Sequence, residues 1–275
     1  MKNKITQVIK SRILEYILLS LIILLGFFVR LYKINSPIAD WHSWRQADTA
    51  SVSRIYAEQG INLPLPRYYD ISSIQSGIPN PMGYRMVEFP FYNAITALAV
   101  NFLPKFSLEV WSRLITITTA LITSFFLCLM GRKLMGKWGG LLCAFFYLLI
   151  PFNIFFTRVI LPDPMGVMFG IISLWAFFEF FSNDKKTFLI ISGIFFGMAM
   201  LIKPYLGFYL FPIIYLALKK FGIKRFLIDK KIIIGMIIYL VLAFVPFIIW
   251  RIWEGKFPEG IPFYEWAFNG NLIRF

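Results

Sequence analysis

Apolar runs close to twenty residues long recur along this chain, separated by short connections rich in lysine and arginine, and that pattern admits few folds. About 20 apolar residues make a helix that crosses the roughly 30 Å hydrocarbon core of a bilayer. In that medium only helices and closed barrels satisfy their own backbone hydrogen bonds. Barrel strands are short and alternate in polarity, so these runs read as helices. Hydrophobic residues are 59% of the 275 and charged residues 15%, which excludes an ordinary soluble domain. The expected fold is all-α: a polytopic helical membrane protein forming one membrane domain over residues 1–275.

Seven spans are expected, near 14–32, 110–130, 138–156, 165–182, 187–203, 204–218 and 232–250, two of them short. The apolar stretch Phe91 to Leu103 is about thirteen residues long and precedes Pro104 and Lys105. Counting it as a span would move Arg132, Lys133 and the 219–231 cluster to the outer face, so it reads as a juxtamembrane helix. The first run is a retained anchor, since Arg30-Leu31-Tyr32-Lys33 follows it in place of a small-residue cleavage site.

The formal net charge of +14 is carried largely by these connections: Lys2, Lys4, Lys10 and Arg12, then Arg132, Lys133 and Lys137, then Lys185 and Lys186, then Lys219 to Lys231. Positive flanks of this kind hold loops in the cytoplasm, and no soluble basic domain exists to bind nucleic acid. The bookkeeping gives a multi-pass plasma-membrane (inner-membrane) protein with a cytoplasmic N-terminus. Its 34–108 loop, the Arg158 to Pro164 turn, Lys203-Pro204 and the 251–275 tail are then extracytoplasmic. Ten of the fourteen acids fall outside in this assignment. No ionisable residue sits near the middle of a span, which removes the main support for an ion-coupled transporter. Cys128 and Cys143 lie in apolar runs and read as small core residues.

Polar chemistry concentrates in three clusters on that outer side. The first is Asp40-Trp41-His42-Ser43-Trp44-Arg45-Gln46-Ala47-Asp48, leading into a short amphipathic helix over 48–59 that stops at Gly60. Asp48 is expected at its N-cap, a place that suits a structural aspartate and also one poised beside an anionic ligand. The second is Tyr84-Arg85-Met86-Val87-Glu88-Phe89-Pro90, after an irregular Pro- and Gly-rich connection. The third is Arg158 to Pro164, with Asp163 between two prolines. Trp41 and Trp44 suit interfacial anchoring or stacking on a sugar.

The order and spacing of His42 to Ala50, Glu88-Phe89-Pro90, Pro162-Asp163-Pro164-Met165 and Leu201-Ile202-Lys203-Pro204 resemble the GT-C glycosyltransferases. More narrowly, the chain is similar to the protein-mannosyltransferase and aminoarabinose-transferase family. The resemblance implies a sugar on polyprenyl phosphate as donor, used at the extracytoplasmic face. In the family an Asp-Glu pair precedes the amphipathic helix. Aligned through Ala50, Arg54 and Gly60, that slot holds Arg45-Gln46, with acids at Asp40 and Asp48 instead. The family's Glu-Lys-Pro-Pro corresponds to Glu88-Phe89-Pro90-Phe91, so its lysine is absent and Arg85 is the nearby substitute.

The function expected from these residues is transfer of a sugar from a polyprenyl-phosphate donor to a hydroxyl acceptor, with inversion. Asp48 is the first choice of base and Asp40 the second, and Glu88 completes the catalytic carboxylates. Arg45, Arg85, Arg158 and Lys203 would hold the donor phosphate and stabilise the leaving group, with His42 and Asp163 on the substrate. No cofactor is expected. Asp40, His42 and Asp48 are a poor transition-metal set, while oxygen ligation of Mg or Mn stays open. The partners expected are the lipid-linked sugar and membrane lipid, with a partner subunit or a missing C-terminal part as a further reading. The alternatives are a non-catalytic subunit or fragment of such an enzyme, or a lipid-linked sugar transporter.

Overall fold

The computed structural model describes residues 2–38 and 42–262, with side chains undescribed for residues 2–12 and for Phe226 and Leu227. Asp40 lies outside the described residues, as does the tail from Phe263 onward. The described residues form helices and connections, with one isolated antiparallel bridge between Arg67 and Tyr84.

Helix α1 (Lys2–Arg30) is followed by α2 (Ser43–Gln59) and α3 (Phe91–Phe102), and then by α4 (Leu108–Leu149), α5 (Pro151–Phe156), α6 (Asp163–Asn183) and α7 (Lys186–Ile202). A 3-10 turn over Pro204–Tyr209 leads into α8 (Leu210–Phe221), α9 (Ile223–Ile228) and α10 (Lys230–Glu254). Four of these, α1, α4, α6 and α10, are long and apolar enough to cross a membrane. Helices α7 and α3 are apolar but shorter. The expected 204–218 span is divided between the 3-10 turn and α8.

The two spans expected at 110–130 and 138–156 are the two arms of a helical hairpin, α4, and the second arm runs on into α5. Within α4, Gly136 adopts φ 73° and ψ −173°, a combination essentially confined to glycine. The two arms then meet through small residues: a Cβ on Gly140 would stand 2.7 Å from the Cys128 carbonyl oxygen, and one on Gly131 would stand 2.7 Å from Cys143 Sγ. Close approach through small residues is the usual way helices associate in lipid. Both cysteines are free and packed here, as small core residues.

Polar ties at the two ends of the bundle fix its register. At one end the buried Arg30 donates to Thr157 Oγ1 at 2.7 Å and to the Leu148 carbonyl at 2.9 Å, while Arg113 donates to the Ile34 and Ser36 carbonyls at 2.7 and 2.6 Å. At the other end Arg132 pairs with Glu15 at 3.2 Å, Lys133 with Glu179 at 2.5 Å and Lys220 with Asp184 at 3.1 Å. Between them the core is apolar, with α6 packed on α7, α4 and α8, and α7 packed on α10. The Arg30 end carries α2, α3 and the 60–90 connection.

Candidate functional site

Helix α2 begins at Ser43, earlier than the expected start at Asp48. His42 precedes it in the left-handed conformation, φ 54° and ψ 36°, with no side-chain cap. Asp48 therefore sits in the second turn and is not an N-cap, which releases its carboxylate for other partners. Gln46, Thr49, Ala50, Ser53 and Tyr56 form the buried stripe of the helix, at the spacing of one helical face. Asn93 of α3 locks that face by donating to the Thr49 carbonyl at 2.7 Å and to Ser53 Oγ at 3.1 Å. Gln46 Oε1 accepts the Ile160 N–H at 3.0 Å and so ties α2 to the segment that leads to Asp163.

The strip from Tyr84 to Phe89 is clamped by backbone hydrogen bonds to three distant parts of the chain. Arg85 N–H donates to the Pro66 carbonyl, Met86 N–H to Gly260 and Phe89 N–H to Leu201, at 2.8, 2.8 and 2.9 Å. Asn80 holds the strip's start, bonding both the N–H and the carbonyl of Tyr84 at 2.9 Å. Gly83, at φ 62°, makes the turn in, and a Cβ there would lie 2.3 Å from the Tyr68 carbonyl oxygen.

On these two supports the charged side chains converge. Arg45 Nη2 donates to Glu88 Oε1 and Oε2 at 2.5 and 2.7 Å, and Lys203 Nζ lies 3.8 Å from Glu88 Oε2. Arg85 Nη2 pairs with Asp48 Oδ2 at 3.0 Å. Gln75 closes a triangle, its amide donating to Asp48 Oδ2 at 3.0 Å while its carbonyl accepts from Arg85 Nη1 at 2.6 Å. Glu88 and Arg85 are 8% and 6% exposed, so these charges face each other with little water between them.

Burial alone would push the Glu88 carboxyl up, but Arg45, Lys203 and Arg85 hold it below the usual glutamate range. Burial likewise works against the Arg45 charge, and Glu88, with Asp163 and Asp48 behind it, raises Arg45 above its ordinary value. Arg85 is lowered, first by burial and then by the neighbouring Arg45 charge, against the pull of Asp48 and Glu88. The cluster thus sets two carboxylates, Asp48 and Glu88, against three basic side chains, Arg45, Arg85 and Lys203.

A cavity of about 470 Å³ opens beside it, lined by His42, Trp44, Arg45, Asp163, Lys203 and Tyr205 together with aromatic residues of α5. That size is in the range of small-molecule binding sites. Tyr205 donates to Asp163 Oδ1 at 3.0 Å, fixing the carboxylate at the start of α6. The rings of His42 and Trp44 meet edge-on, 6.1 Å between centroids. Asp48, Arg85 and Glu88 line a small recess that shares Arg45 with this cavity.

Six sequence-nominated residues, Arg45, Asp48, Arg85, Glu88, Asp163 and Lys203, thus meet at one site, with His42 on the cavity wall. Arg158 is placed otherwise: it donates to the Tyr32 carbonyl at 2.6 Å and lies over the rings of Tyr32 and Phe155. Gln75, Tyr205 and Gln46 join the site without having been singled out by the sequence. Among the described residues no group of three His, Cys, Asp or Glu side chains is spaced to hold a metal ion.

The family model for dolichyl-phosphate-mannose-protein mannosyltransferases matches residues 88–250, more than half of the chain. The chain belongs to this family. Membership makes it a membrane glycosyltransferase of the mannosyltransferase-like type. The match begins at Glu88 and covers Arg158, Asp163 and Lys203, while Arg45, Asp48 and Arg85 lie just before it. Among curated proteins no match is found.

Proposed function

We propose that the protein transfers a sugar from a polyprenyl-phosphate donor to a hydroxyl acceptor at the extracytoplasmic face, with inversion at the anomeric carbon. The carrying observation is the cavity, which gathers Arg45 and Lys203 against Asp163 in a chain of this family. A guanidinium has five N–H donors, so Arg45 can meet a phosphate while keeping Glu88, and Lys203 adds a second cation. In this reading the chain crosses the membrane seven times from a cytoplasmic N-terminus, an arrangement supported by the basic residues in the connections, and the site is then extracytoplasmic.

In this reading a carboxylate takes the proton of the acceptor hydroxyl, whose oxygen attacks the anomeric carbon. The glycosidic bond breaks and its electron pair leaves on the polyprenyl phosphate, whose charge Arg45, Arg85 and Lys203 stabilise. Asp48 is the proposed base, oriented by Arg85 and Gln75. One observation favours a second assignment: Asp163 lines the cavity directly, whereas Asp48 lines the recess beyond Arg45.

Val167 stands on the cavity wall one helical turn beyond Asp163. The substitution Val167→Trp is expected to abolish binding of a labelled polyprenyl-phosphate sugar by folded protein in detergent. Unchanged donor binding would contradict the placement.

A further inference from the structure

A second cavity, of about 590 Å³, lies at the opposite end of the bundle, where α7, α8, α9 and α10 meet. Helix α8 packs on α6 and α10 packs on α7, and the cavity is the wedge left between them. Four cations from four different helices converge on it: Lys186 from α7, Lys220 from α8, Arg225 from α9 and Lys231 from α10. Two acids, Asp184 and Asp229, share the lining and leave an excess of positive charge.

The anchoring of that charge is a built feature. Lys220, only 15% exposed, donates to the Phe180 and Phe181 carbonyls at 3.2 and 3.0 Å and pairs with Asp184 at 3.1 Å, so its ammonium is fixed at the C-terminal end of α6. Arg225 is 3.8 Å from Asp229, a loose pair. Lys186 and Lys231 are exposed at the mouth. The remaining wall is apolar, and its Ile190, Ile234 and Ile238 present uncovered surface along the helices.

The geometry points to a binding site for an anionic phospholipid, its headgroup phosphate held by Lys186, Arg225 and Lys231 and an acyl chain lying on Ile190, Ile234 and Ile238. Charge and apolar surface are adjacent in the order that a lipid presents them, and basic pockets between membrane helices bind such headgroups. A free phosphate would use the cations and leave the isoleucine wall unused. The site is independent of the transferase reading, since it shares no residue with the Arg45 cluster.

The test uses the full chain in detergent micelles and measures binding of phosphatidylglycerol, with phosphatidylcholine and inorganic phosphate as competitors. Lys186→Ser/Lys231→Ser is expected to weaken phosphatidylglycerol binding about 30-fold, the effect of two cations near a lipid phosphate. Lys186→Arg/Lys231→Arg is expected to retain binding. The charge-matched control Lys105→Ser/Lys137→Ser is expected to leave it unchanged, and neither competitor is expected to displace the lipid. Wild-type affinity in the Lys186→Ser/Lys231→Ser protein, equal weakening in the control, or displacement by inorganic phosphate would overturn the assignment.

Discussion

Arg45 reaches from the first turn of α2 to both carboxylate oxygens of Glu88, 43 residues away, at 2.5 and 2.7 Å. This contact joins the two segments that the site needs, the α2 segment with Asp48 and the clamped strip with Arg85. A buried charge-assisted pair is strong, and here one guanidinium nitrogen is shared between both carboxylate oxygens. It also makes Glu88 a weak proton acceptor in this state, because Arg45, Lys203 and Arg85 hold its carboxyl below the usual glutamate range against its burial.

Removing one partner of a buried pair leaves the other charge stranded. Glu88→Gln is therefore expected to lower stability by roughly 3–5 kcal/mol, read from thermal unfolding in detergent. Arg45→Met/Glu88→Leu should recover most of that loss while remaining inactive. A double variant as unstable as the single one would show that the pair's worth lies in packing.

The acid limb of stability follows from the same pair. The folded Glu88 carboxyl lies below its unfolded value, so its contribution is present above the ordinary range near about 4.3 and is lost as pH falls through the depressed folded value. Between pH 5 and 8 the contribution is expected to be flat. Comparing wild type with Glu88→Gln across pH 3 to 8 checks this: the difference between them should shrink only below the ordinary glutamate range.

Gly136 reverses the chain inside α4 with nothing within 4 Å of where a Cβ would stand, so conformation alone sets the cost of a side chain there. Gly136→Ala is expected to destabilise by about 1–3 kcal/mol through backbone strain. An unchanged unfolding midpoint would mean that the reversal tolerates other residues.

Gln75 bonds both members of the Asp48–Arg85 pair. Gln75→Leu is expected to lower the turnover of sugar transfer with little change in donor affinity, because it positions the pair without lining the 470 Å³ cavity. The pH profile of turnover separates this from a general folding defect, which would lower the amount of active protein and leave that profile unshifted.

Much of the helical architecture was legible in the sequence because lipid imposes it. The short apolar helix α3 and the end of α2 at Gly60 followed from length, polarity and the glycine stop. The start of α2 did not. Asp48 is a strong helix-start signal, but Gln46 and Arg45 fix the preceding turn through partners 43 or more residues away, and local propensity cannot register such contacts. The two arms of α4 were legible as separate spans because two apolar runs flank Arg132, Lys133 and Lys137, and Gly136 reverses the chain between them. Gln75 lies in an irregular connection without periodicity, so its place between Asp48 and Arg85 left no trace in the pattern. Asp163 and Lys203 were legible because each stands beside proline at a span's end.

The most direct test of the central claim is sugar transfer from a panel of radiolabelled polyprenyl-phosphate sugars in proteoliposomes. Wild type is compared with Asp48→Asn, Asp163→Asn and Asp40→Asn at matched folding. Wild type is expected to transfer sugar from at least one donor, and Asp48→Asn to abolish transfer while still binding that donor. Loss with Asp163→Asn alone would move the base to the cavity wall. Absence of transfer from every donor by well-folded wild type would contradict the account.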